Sequence, residues 1–287
     1  MQFGIVFANT GRAVDPDGAI ALAQIAEEAG FDTLWTVEHV VVPSGYESAY
    51  PYSPTGKMPG SEDSPIPDPL IWLTWVAAAT RRIKLATGIL ILPQRSPAVL
   101  AKEVATLDVL SKGRVILGVG VGWLEEEFDV IGVPFAERGA RTDDHIEALR
   151  AFWTEAEPTY KGRFTSFENA KSYPKPVQEG GVPIVIGGHS PPAAKRAGRL
   201  GDGFFPASAK FEDLEGLLDV MRKTATEHGR DPDAIEVTAG GAMDVDGAKR
   251  YQDIGVRRLV VPALGRNEEE WKQVLGTFGE QVIAKML

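Results

Sequence analysis

Short unbroken apolar runs recur along this chain, and between them apolar positions return at near-helical spacing. The first run, Met1–Ala8, is broken by Asn9-Thr10-Gly11, and Asp15-Pro16 then opens a helix that Gly30 stops. Asp32–Val37 is the second run. Strand, helix and strand within about 30 residues form one βαβ unit with parallel strands. Further strands are expected at Ile83–Leu92, from Arg114 onward, and at Pro183–Gly187, Asp202–Pro206, Ile235–Ala239 and Arg258–Pro262. Helices are expected at Leu70–Thr80, Ala98–Leu110, Thr142–Thr154, Pro192–Leu200, Glu212–His228, Asp246–Ile254 and Glu268–Leu287. Runs without alternation are strands buried on both faces, as parallel sheets require. Eight of them in alternation with helices predict a single α/β domain over residues 1–287, a (β/α)8 TIM barrel. A doubly wound sheet would instead carry its glycine-rich turn after an early strand, followed by an acidic residue about twenty on. Here the glycines follow strands four and five.

The interruptions sit after strand two, after strand four and before strand five. Val42–Asp68, rich in Pro, Gly, Ser and Tyr, is long enough to be a lid over a ligand, with Tyr46, Tyr50 and Tyr52 to cover it. A plain surface insertion is the competing reading. Glu125–Ile131 is a short extra helix, and Tyr160–Pro176 reads as a hairpin-like insertion.

Composition narrows the function classes. With no cysteine, disulfides, thiolate metal sites and cysteine nucleophiles are excluded. A net charge of −10 argues against nucleic acid or an anionic membrane as a general partner. The N-terminus enters a strand at once, so a cytoplasmic protein is expected. The four histidines, His39, His145, His189 and His228, include no i, i+4 pair, and the serines stand in no Gly-x-Ser-x-Gly elbow. Neither a metal site nor a serine hydrolase is expected.

In a barrel, function lies at the C-terminal ends of the strands. Read in order, those ends give Asn9, Glu38-His39, Thr87-Gly88-Ile89, Gly120–Trp123, Gly187–Ser190, Pro206–Ser208, Gly240-Gly241 and Pro262. Glycine dominates and titratable groups are few, which suits a large flat cofactor that carries the chemistry itself. Gly118, Gly120 and Gly122 alternate along strand four, either to admit such a ligand to the backbone or to pack a crowded barrel. Gly187-Gly188-His189-Ser190 ends a strand and opens a helix, an arrangement that points backbone N–H groups at an anion. His39 could give a hydrogen bond or a proton at the mouth, and Trp123 could lie beside a planar ring.

These residues resemble a family. Phe31-Asp32-Thr33-Leu34-Trp35 with Glu38-His39, Thr87-Gly88-Ile89-Leu90, Ala101–Asp108, Gly118–Trp123 and Gly187–Ser190 are similar, in order and spacing, to the luciferase-like monooxygenase superfamily. The details lie nearest its coenzyme F420 branch. The resemblance implies a (β/α)8 barrel holding F420, or FMN as the alternative, at its C-terminal face. It implies His39 with Glu38 as the acid–histidine pair near the reactive ring, and Gly88-Ile89 as a cis peptide behind it. It further implies Thr87, Gly120, Gly122 and Trp123 beside the cofactor, and Gly187, Gly188 and His189 at its phosphate. A glutamate stands at the position of Trp123 in sugar-phosphate-oxidising relatives, so that substrate is in doubt here. The expected activity is hydride transfer between F420 and a small-molecule substrate, in a homodimer. An FMN-dependent monooxygenase and a non-catalytic flavin- or deazaflavin-binding protein are the alternatives.

Overall fold

The computed structural model describes residues 1–206 and 210–286. Eight parallel staves close on themselves. In chain order they begin with β1 (Gln2–Val6), β2 (Thr33–Thr36) and β3 (Lys84–Thr87), the last continued by β4 (Leu90–Ile91). The ring continues through β5 (Val115–Gly120), then, beyond a two-stranded hairpin of β6 (Tyr160–Lys161) and β7 (Ser166–Phe167), through β8 (Ile184–Gly187), β9 (Gly203–Phe205), β10 (Glu236–Gly240) and β11 (Arg258–Pro262). Closure comes from β11 pairing in parallel with β1, Gln2 opposite Arg258 and Val6 opposite Pro262. The helices α1 (Pro16–Glu28), α2 (Pro69–Ala79), α3 (Pro97–Ser111), α4 (Glu125–Ile131), α5 (Arg138–Thr154), α6 (Pro191–Leu200), α7 (Phe211–Glu227), α8 (Val245–Asp253) and α9 (Glu268–Phe278) surround it. No helix among the described residues is long and apolar enough to cross a membrane.

The caps read from sequence are largely in place. Asp15 accepts from the N–H groups of Asp17 and Gly18, Asp68 from those of Leu70 and Ile71, and Asn267 from that of Glu270. α5 begins four residues earlier than expected, at Arg138. The final helix is not continuous: a π-turn at Gly279–Ile283 follows α9, where a side chain on residue 279 would collide with the Ala29 carbonyl. Leu287 lies outside the described residues, as do Ala207 and Ser208 of the sixth strand end.

The barrel interior is a small apolar plug of Trp35, Ala86, Ile116, Val185, Phe205 and Val260. The Trp35 indole fits because its neighbours lack side chains. A Cβ on Gly4 would stand 2.9 Å from Nε1, and one on Gly88 3.0 Å from Cε3. At the opposite end from the mouth, the fully buried Arg258 donates to Asp32, Glu236 and Gln2, so the starts of four adjacent staves share one cation.

Candidate active site at the barrel mouth

At the mouth, the end of β1 turns abruptly: Phe7 has φ 57° and is half exposed. A bulky residue in the left-handed region is uncommon enough to mark a site. Behind it Asn9 is fully buried, and it joins three pieces of chain. Its amide donates to the carbonyls of Val37 (2.9 Å) and Pro67 (3.0 Å), and its oxygen accepts the Val37 N–H (2.8 Å). Val40, Met243 and Leu264, in the loops after β2, β10 and β11, are exposed apolar side chains on the same rim. None of Phe7, Met243 and Leu264 was legible as a site residue, because an apolar residue near a strand end looks like core.

His39 follows β2, and its Nδ1 lies 3.1 Å from Glu127 on α4. The Glu127 side chain is fully buried, and its other oxygen accepts the N–H groups of Val40 (2.6 Å) and Val41 (3.2 Å). Glu38 is therefore not the partner expected from sequence. Its carboxylate accepts from the Ile91 N–H and from Arg95, which also bonds Asp68 at 2.8 Å. Burial pushes the Glu38 carboxyl up while Arg95 pulls it back. Burial also opposes the charge on Arg95, yet the two carboxylates outweigh it and hold the guanidinium above its ordinary range. Glu38 thus ties β2 to β4 and to the start of α2.

Val42–Asp68 folds over the mouth as a lid. Edges of His39, Tyr46 and Tyr50 meet the Trp123 ring at centroid distances of 5.6, 5.6 and 5.1 Å, each near perpendicular. Tyr52 packs on Tyr50 and on His189 (4.8 Å). Burial pushes the Tyr50 and Tyr52 hydroxyls up, so these rings stay neutral. Glu126 accepts the N–H groups of Glu47 (2.7 Å) and Ser48 (3.0 Å) on the lid. The Ser48 hydroxyl and these N–H groups hold the Glu126 carboxyl down to about 2.

The glycines fare differently from the ligand-cradle reading. Gly88-Ile89 is a cis peptide, as the resemblance implied. The Ile89 side chain fills the space beside Gly120, where a Cβ would lie 2.6 Å from Cδ1, and also that beside Gly187. Phe128 and Ile91 occupy the space beside Gly122, which has φ +80°. Packing therefore accounts for these glycines. Thr87 is buried and donates its hydroxyl to the Gly118 carbonyl (2.7 Å), and the Gly188 N–H is donated to the Phe205 carbonyl (3.2 Å). Two prolines open α6 and remove two further N–H groups, so the anion site expected there keeps fewer donors than the motif suggested. What remains is Ser190 at the cap and His189, whose Nδ1 is buried without a partner among the described residues. The other histidines are structural. His145 is buried against the Leu92 carbonyl and its pKa is lowered by that burial, and His228 bonds the Thr224 carbonyl at the end of α7.

The family model described as luciferase-like monooxygenase matches residues 1–248. The chain belongs to the luciferase-like monooxygenase family. Among luciferase-like relatives, an uncharacterised protein of Mycobacterium tuberculosis is 33% identical over 93% of this chain and 95% of its own length. An F420-dependent glucose-6-phosphate dehydrogenase of Kineococcus radiotolerans is 35% identical over 74% of this chain and 59% of its own. Among solved structures, an F420-dependent secondary alcohol dehydrogenase in complex with an F420-acetone adduct superposes with a TM-score of 0.79 at 21% identity, covering 99% and 98% of the two chains. Within this luciferase-like barrel, His39, Trp123 and His189 are the expected site residues that stand together with the lid, through contacts among their rings and those of the lid tyrosines.

Proposed function

We propose that this luciferase-like protein is an F420-dependent oxidoreductase that moves a hydride between the deazaflavin and a small organic substrate bearing a hydroxyl or carbonyl group. The observation that carries the reading is His39, fixed through Nδ1 on a buried carboxylate beneath an aromatic lid. The 35% identity to an F420-dependent dehydrogenase supports the choice of cofactor.

The residues at the mouth fit such a group. A rim of Phe7, Val40 and the half-buried Ile89 suits a flat ring. The unpartnered Nδ1 of His189, beside the N-terminal end of α6, suits its phosphate. When bound, F420 supplies a carbon that accepts or gives a hydride, and it is poor at activating oxygen. His39 would take the proton of a substrate hydroxyl at Nε2, or return it to a carbonyl oxygen. The lid would exclude water, and Trp123 with the lid tyrosines would set the shape of the substrate space. A glutamate is absent at position 123, where Trp123 meets the rings of Tyr46 and Tyr50 instead, so a sugar phosphate is not the substrate we assign.

Titrating the purified protein with F420 and with FMN tests the cofactor by absorbance, and tight FMN binding without F420 binding would reverse the choice. The variant His39→Ala is expected to keep F420 affinity and lose on the order of 10²–10⁴-fold in turnover across a panel of alcohols and carbonyls. A wild-type protein that binds F420 and turns over no member of a carbonyl, imine and enone panel would be a binding protein instead.

A further inference from the structure

We infer that Glu127 is a positioning residue for His39, fixing which ring nitrogen carries the proton and tying the ring to the root of the lid. The inference rests on the reading of His39 as the proton-transfer group. Glu127 is fully buried: Oε1 accepts from the Val40 and Val41 N–H groups, and Oε2 lies 3.1 Å from His39 Nδ1. A carboxylate has no hydrogen to give, so Nδ1 carries a hydrogen, and in the neutral ring Nε2 then presents its lone pair. Among the described residues, Nδ1 is the ring nitrogen of His39 that is engaged.

This tautomer suits proton removal. In the proposed reaction Nε2 would take the proton of a substrate hydroxyl as the adjacent C–H bond gives up its electron pair as hydride and the C–O bond becomes a carbonyl, with F420, when bound, supplying the hydride acceptor. The imidazolium left behind lies against the Glu127 carboxylate, which offsets its charge without taking its proton. In carbonyl reduction the same proton returns from Nε2. The neighbouring residue, Glu126, binds the lid at Glu47 and Ser48, so consecutive residues of α4 serve the lid and the histidine.

The test is Glu127→Gln, read by ¹⁵N NMR of the histidine rings in the cofactor-free protein, with His39→Ala assigning the signal. Glutamine has one acceptor oxygen. The Val40 and Val41 N–H groups claim it, and the amide NH₂ is left facing Nδ1, where two donors would oppose each other. The ring proton is therefore expected to move to Nε2, with F420-linked turnover down on the order of 10²-fold. The variant Glu126→Gln is expected to leave the tautomer as it is. An unchanged tautomer in Glu127→Gln, or a switched one with wild-type turnover, overturns the inference. If that variant does not fold, the wild-type spectrum decides, since an Nε2–H tautomer there overturns the inference directly. A tautomer switch in a protein whose wild type shows no F420-linked turnover overturns the functional reading instead.

Discussion

Substituting Gly120 by alanine separates the two reasons a glycine could stand at the mouth. Its φ lies outside the left-handed region, so alanine meets no backbone strain. The added methyl would lie 2.6 Å from Ile89 Cδ1 and 2.8 Å from Cγ1, where carbon atoms normally stand about 3.5–4.0 Å apart. Ile89 must then retreat by roughly 1 Å into a packed mouth. Overpacking of that kind costs about 1–3 kcal/mol. At roughly 2–4 °C per kcal/mol for a chain of this size, the midpoint of thermal unfolding should fall by about 4–8 °C for a cost near 2 kcal/mol. In an Ile89→Ala background the obstruction is gone, and Gly120→Ala should then cost less than about 0.5 kcal/mol. The coupling energy of the cycle is expected at about 1.5 kcal/mol. Urea unfolding followed by tryptophan fluorescence measures all four proteins, and F420 titration runs beside it. If Gly120→Ala keeps full stability yet loses cofactor affinity in both backgrounds, the glycine serves a ligand and the packing account fails.

Two further outcomes follow from charged groups at either end of the barrel. Replacing Arg258 with methionine leaves Asp32 and Glu236 without their shared cation and should destabilise the fold by about 3 kcal/mol, seen as a lower urea midpoint. A midpoint equal to wild type would show that the cluster closes nothing. Glu126 is held down to about 2, below its unfolded value of 4.5, so its contribution is complete above about pH 4.5 and fades as pH falls toward 2. Amide protection at Glu47 and Ser48, corrected for intrinsic exchange, should therefore be constant from pH 7 to 5 and drop below 4, with Glu126→Ala low throughout. Protection unchanged down to pH 3 would refute the latch.

The barrel was legible because strands buried on both faces carry their signature locally, as in Ile184–Gly187 or Val115–Gly120, and caps such as Asp15 and Asn267 announce helix starts. The site was legible only in part. His39 could be placed by its position after β2, but its partner is 88 residues away and sits in a run of three glutamates that looks like a solvated first turn. Glu38, adjacent in sequence, was the natural partner to expect. Yet in an extended chain neighbouring side chains point to opposite sides, and this one belongs to Arg95. The glycines illustrate a second blindness: sequence reveals a missing side chain, and only packing reveals whose atoms take its place. At Gly120 and Gly187 they are those of Ile89. The early start of α5 and the π-turn after α9 likewise depend on tertiary neighbours.

Asn9 gives the molecule a modular character. One buried amide holds the chain just where the canopy departs, at Val37, and just where it returns, at Pro67. The canopy therefore leaves and returns at neighbouring points, and a loop of quite different length could be grafted between Val42 and Pro67 while His39 and the Glu127 bonds to Val40 and Val41 stay in place. Doubling its length would add only about 0.6 kcal/mol of closure entropy. Under the proposed function, substrate preference would then be exchangeable as a cassette while the staves beneath keep their register.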